Sequence, residues 1–147
     1  MNAIVNRKAY HDYDILDTLE VGLVLTGTEI KSIRAGRVDL RGAYARPQGG
    51  ELWLCEAHIA PYPQARPHNH EPRRPRKLLL HRKELDELTG QVSRKGLTLV
   101  PLRLYIKGHV AKVQLALVRG RRLYDKRRAI KERDMDREAR AATRRRR

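Results

Sequence analysis

Residues 100–117, VPLRLYIKGHVAKVQLAL, decide the fold. Val100, Leu102, Leu104 and Ile106 alternate with Pro101, Arg103 and Tyr105. Val113, Leu115 and Leu117 then alternate with Lys112, Gln114 and Ala116. Alternation of period two puts the apolar side chains of an extended chain on one face, the pattern of a half-buried strand. Lys107-Gly108-His109 turns between the halves, so the stretch predicts an antiparallel β-hairpin that ends at Gly120.

The rest of the chain supplies partners for this hairpin. Tyr13, Ile15, Leu19, Val21, Leu23 and Leu25 lie at odd positions with Asp14 and Glu20 between them, which predicts another half-buried strand. The pattern lapses near Asp17-Thr18, where a bend or bulge is expected. Gly27-Thr28 stops that strand, and Thr28 can cap a short helix with Ile30 and Ile33 on one face and Gly36 at its exit. Runs 39–46 and 51–60 read as paired strands around Pro47-Gln48-Gly49-Gly50. In the second run Trp53, Cys55, Ala57 and Ile59 share one face and Leu52 and Leu54 the other, so both faces are expected to be covered. Pro61, Pro63, Pro67, Pro72 and Pro75 stand among Arg and His residues, which predicts an extended basic loop over 61–77. Leu78-Leu79-Leu80 resumes order, and 82–89 reads as a helix with Leu85 and Leu88 inward and Gly90 at its exit. The sum is a mainly β fold: a small, OB-fold-like antiparallel β-barrel with short flanking helices.

Charge narrows the function. Lys and Arg total 33 against 17 Asp and Glu, a formal net charge of +16, which calls for a polyanionic partner. No apolar run approaches the roughly 20 residues that span a bilayer, so a nucleic acid fits better than a membrane. Phe is absent and aromatics are six Tyr and one Trp, which favours recognition of folded RNA by shape and phosphate over a sheet of stacking aromatics. The single cysteine, Cys55, and the lack of a long apolar stretch in residues 1–6 suit the cytoplasm. Residues 121–147 hold 13 Lys/Arg and five Asp/Glu without an apolar stripe, so the chain divides into a barrel, 1–120, and a basic tail, 121–147, helical or disordered.

Catalysis, cofactors and metals find little support. His68-Asn69-His70 sits in the Pro/Arg loop with no Cys nearby, and Cys55 lies within a strand face. No phosphate-cradling glycine loop is present. The basic groups carry more weight: Asn6-Arg7-Lys8, Arg73-Arg74-Pro75-Arg76-Lys77, and residues 119–128. Each cation on a phosphate would release counterions. Glu20 reads either as an exposed strand residue or as an acceptor for base or ribose donors.

Four segments together resemble the SsrA-binding protein family: Asn6-Arg7-Lys8-Ala9 with His11-Asp12-Tyr13, residues 27–36 (GTEIKSIRAG), residues 76–81 (RKLLLH), and residues 120–127 (GRRLYDKR). The resemblance implies a non-catalytic RNA-binding protein. It would bind the tRNA-like domain of transfer-messenger RNA and deliver it to stalled ribosomes for trans-translation, with no cofactor, as a monomer when free. By motif match, Glu20, Leu79 and Lys112 would bind the RNA, with Asn6 and Tyr13 beside them; Arg7, Lys8, Arg76 and Lys77 join them on charge. Leu79 equally suits a core position, and Tyr13 could pack within the barrel. Gly120 would join barrel to tail, Tyr124 would stack on small-subunit ribosomal RNA, and Asp125, Lys126 and Arg127 would act in tagging, at the decoding centre and in the messenger channel. The pure arginine terminus, Arg144 to Arg147, departs from the family pattern. A basic ribosomal or ribosome-associated structural protein is the alternative.

Overall fold

A computed structural model describes residues 3–65 and 67–120. In chain order the elements are β1 (Ile4–Val5), α1 (Arg7–Asp12), β2 (Tyr13–Leu23), α2 (Gly27–Arg34), β3 (Val38–Asp39), β4 (Tyr44–Gln48), β5 (Glu51–Cys55), β6 (His58–Ile59), β7 (Arg76–Leu79), α3 (Arg82–Lys95), β8 (Thr98–Lys107) and β9 (Val110–Gly120). Strands run in the order β8-β4-β5-β7-β2-β9, and β9 pairs back onto β8. The sheet therefore closes into a six-stranded antiparallel barrel, with β1 added beside β8 and β3–β6 forming a separate pair. Closure leaves few unpaired strand edges.

The hairpin forms as the alternation predicts, but with one break in phase. Pro101 pairs with Leu115 and Arg103 with Gln114, so Leu102 is an extra, bulged residue. Proline has no N–H for the ladder, which makes this a natural place for a bulge. The extra residue reverses the faces. Leu104 and Ile106 point into the barrel core, whereas Val100 and Leu102 face outward and pack under Ala9 of α1 with Ala116 and Val118. The expectation that Val100 to Ile106 share one face is thus corrected. A second irregularity falls between Ile15 and Asp17, close to the expected bulge.

The 51–60 run also departs from its expected facing. Leu52 and Leu54 are buried inward and Trp53 points outward, half-buried. Glu56 adopts φ +63, which ends β5 and turns Ala57 and Ile59 into the same core as Leu52 and Leu54. The hairpin before it needs only Gly49 and Gly50, both at positive φ, so Pro47 and Gln48 belong to β4.

The two expected helices form as α2 and α3 with different bounds, and α1 is an additional helix before β2. Thr26, not Thr28, caps α2: its side chain accepts from the Glu29 N–H, while the Glu29 carboxylate accepts from the Thr26 N–H at 2.8 Å. α3 runs past Gly90 to Gly96, because Leu85, Leu88 and Val92 continue its apolar stripe against the core. The expected loop 61–77 contains one 3₁₀ turn at Pro63–Ala65 and ends early, since Arg76 and Lys77 open β7. No helix among the described residues is long and apolar enough to cross a membrane.

Candidate nucleic-acid interface

Direct cross-strand partners point to the same face of a sheet. Gly22 of β2 pairs with Leu79 of β7 on one side and Lys112 of β9 on the other, and Lys112 pairs with Tyr105 of β8. Leu79, Gly22, Lys112 and Tyr105 therefore form one outward row across four strands. Two residues along, Glu20, Gln114 and Arg103 form the next. Three residues predicted from distant segments, Glu20, Leu79 and Lys112, are brought together here.

Gly22 makes the row close-fitting. A Cβ at this position would lie 3.3 Å from the Leu79 Cβ and 3.6 Å from its Cδ1, a tight approach that glycine leaves unstrained. Leu79 is not core: it is 49% exposed, and it offers an apolar ledge beside polar groups. Tyr105 reaches across β9 and donates its hydroxyl to the Glu20 carboxylate. That bond, with smaller contributions from burial and the Glu20 charge, pushes the Tyr105 phenol up to about 12. Glu20 is therefore a held acceptor, with its remaining lone pairs facing an open depression of about 370 Å³ lined also by Arg103 and Gln114. Such a carboxylate can accept from a ribose hydroxyl or a base amino group, and the adjacent cations can hold phosphate. Tyr105, Arg103 and Gln114 escaped the motif reading. A turn at Gly108-His109 fixes Tyr105 opposite Lys112 and Arg103 opposite Gln114, so register alone could have found them.

The other predicted body residues divide. Arg7 and Lys8 are exposed on α1. Tyr13 is half-buried, packs against the Ala9 cluster, and pairs with Gly120 at the end of β9. Lys77 is 41% exposed and pairs with Glu51 at 2.9 Å. Two assignments are corrected. Asn6 is buried: its amide donates to the Pro101 carbonyl at 2.8 Å and the Leu40 carbonyl at 3.2 Å, and its side-chain oxygen caps α1 through the Ala9 N–H. It holds the β8 bulge to the N-terminal helix and has no free polar atom for RNA.

Arg76 is fully buried, so its guanidinium is also out of reach of phosphate. It forms an ion pair with Glu29, which is fully buried as well, and donates to the carbonyls of Ala57 at 2.7 Å and Pro72 at 3.0 Å. Arg74 forks onto the same carboxylate at 2.5 and 3.1 Å. Burial pushes the Glu29 carboxyl up, but the bonds from Arg74, the Thr26 N–H and Arg76 outweigh it and hold the carboxyl below its ordinary value. His70 completes the clamp, with Nε2 on the Ile59 carbonyl and Nδ1 on the Thr28 hydroxyl, each at 2.8 Å. His68-Asn69-His70 is thus tied up at two of its three positions, since Asn69 bridges both backbone groups of Tyr62. Tyr124, Asp125, Lys126 and Arg127 lie outside the described residues.

The chain is similar to known proteins over nearly its whole length. A family model described as "SmpB protein" matches residues 3–145. The SsrA-binding protein of Carboxydothermus hydrogenoformans is 56% identical over 139 residues, covering 95% of this chain and 93% of its own length. That of Roseiflexus castenholzii is 62% identical over 130 residues, covering 88% and 82%. A solved structure described as "tmRNA-SmpB: a journey to the center of the bacterial ribosome" superimposes with a TM-score of 0.71 at 51% identity, covering 87% of this chain and 94% of that one.

Proposed function

This chain belongs to the SmpB protein family, and from that premise we propose that it binds the tRNA-like domain of transfer-messenger RNA and carries it to stalled ribosomes for trans-translation. The observation that carries the reading is the outward row of Leu79, Gly22, Lys112 and Tyr105 with Glu20 beside it. It combines an apolar ledge, a held acceptor and cations, which suits a folded RNA surface better than phosphate contact alone. The protein acts by binding and delivery, without catalysis, in the compartment where ribosomes work.

The division of labour follows the chain. The barrel, 1–120, grips the RNA, with Arg7, Lys8, Tyr13 and Lys77 flanking the central row. The tail, 121–147, acts on the ribosome through Tyr124, Asp125, Lys126 and Arg127, with Gly120 as the junction. The test separates the two. Lys112→Ala and Glu20→Ala should weaken retention of the tRNA-like domain, whereas truncation after Gly120 should largely spare it and abolish peptide tagging. Tagging that survives truncation would refute the tail assignment; unaltered RNA retention by both point variants would refute the interface.

A further inference from the structure

The chain has one Trp and no Phe, and its Trp is not in the core. Trp53 projects from the outside of β5, half-buried, with Arg46 of β4 and Lys77 of β7 as its direct cross-strand partners. It lines an open recess of about 520 Å³ with Arg46, Gln48, Glu51 and Pro75. An aromatic face between two cations is the arrangement that stacks a base and holds the phosphates on either side of it.

We propose that Trp53 is a stacking platform for an unpaired nucleotide of the same RNA that lies on the Glu20 face. The proposal rests on the RNA-binding reading above and extends its footprint around the barrel. Continuity supports it: on β7, Lys77 and Leu79 both point outward, so the Trp53 row and the Leu79 row are neighbours on one surface. Charge supports it as well. Among the described residues the ion-pair partner of Lys77 is Glu51, and both side chains are 41% exposed. Such exposed pairs are weakly held, so Lys77 can turn to a phosphate. Arg46 gives one N–H to the Gln48 side chain at 3.0 Å and has others to offer. Glu51 would then be released beside the stacked base, as an acceptor for its edge.

The single Trp makes the test direct. Full-length protein is titrated with the tRNA-like domain of transfer-messenger RNA while Trp emission and filter retention are read together. The expected result is saturable quenching with the same midpoint as retention. Trp53→Leu should weaken retention about fivefold or more, and Trp53→Tyr should restore it to within about twofold, as base stacking is tolerant of the ring that supports it. Circular dichroism checks that the variants fold; if Trp53→Leu does not, wild-type emission decides. Retention with unchanged emission overturns the proposal and leaves the RNA-binding reading intact. Quenching by small ribosomal subunits but not by the tRNA-like domain overturns it too, by assigning the recess to another RNA. Absence of any retention overturns both readings.

Discussion

Replacing Glu29 by Gln should destabilise the barrel far more than any exposed charge change, and the structure says by how much. Glu29 and Arg76 are both fully buried, so water cannot take over either charge. Removing one member of a buried pair leaves the other uncompensated, at a cost of about 3–5 kcal/mol. That is a large share of the roughly 5–15 kcal/mol by which a domain of this kind is stable. Arg74 shares the carboxylate but is 32% exposed, so Arg74→Ala should cost only about 1 kcal/mol. Urea unfolding of the single variants and of both double-mutant cycles with Glu29 measures the order. The coupling to Arg76 should exceed that to Arg74. Acid adds an independent check. The folded carboxyl lies below its ordinary value of 4.5, so its contribution is fully present above that pH and fades as the pH falls through the lower folded value. Glu29→Gln should lose this acid dependence. A cost below about 1 kcal/mol, or an Arg74 coupling larger than that of Arg76, would refute the account.

Other expectations are simpler to state. The Tyr105 phenol, pushed up to about 12, should titrate late in an ultraviolet phenolate titration, and Glu20→Gln should bring it back towards 10. Its raised value means the bond stabilises the fold below the ordinary phenol value of 10 and is lost as pH rises through about 12. Gly22→Ala should lower stability modestly, because the Leu79 Cβ it meets at 3.3 Å is fixed to the β7 backbone and the strand itself must shift by a few tenths of an ångström, and it should weaken RNA retention several-fold because the ledge moves with that strand. Asn6→Ala should lower stability by about 1–3 kcal/mol through the freed Pro101 and Leu40 carbonyls. Its RNA retention should fall only with the folded fraction.

The barrel was legible because alternation is a local signal and the strands that show it, β2, β8 and β9, are long. What the alternation could not show is where a strand changes phase. At Leu102 one extra residue reverses the faces, and at Glu56 a left-handed residue does the same. Neither side chain advertises it, and only Pro101 hints at the first. The helix end at Gly90 failed for another reason: local propensity was overridden by Leu88 and Val92 packing on the core. Of the candidate site, Glu20, Leu79 and Lys112 came from resemblance, and strand pairing shows why residues so far apart in sequence are neighbours on one face. Asn6 and Arg76 were misread because a polar or basic residue in a basic run looks available until its partners, 34 to 95 residues away, are seen.

That misreading has a general consequence for how the +16 is used. Every cation in the 73–77 run has an acid partner in the folded protein: Arg73 with Glu56, Arg74 and Arg76 with Glu29, and Lys77 with Glu51. Only the pairs of Arg73 and Lys77 are exposed enough on both sides to exchange an acid for a phosphate. A cation that leaves an acid for a phosphate leaves that acid to attract a counterion of its own, so it contributes less than one released ion. Arg7, Lys8, Arg103 and Lys112 have no ion-pair partner among the described residues and should each contribute close to a full one. Lys112→Ala should therefore reduce the salt slope of RNA retention by about one, while Arg74→Ala leaves it unchanged. Equal slopes for Lys112→Ala and wild type would mean that Lys112 holds no phosphate and that the grip lies elsewhere. A reduced slope for Arg74→Ala would mean that the clamp on Glu29 opens when RNA binds.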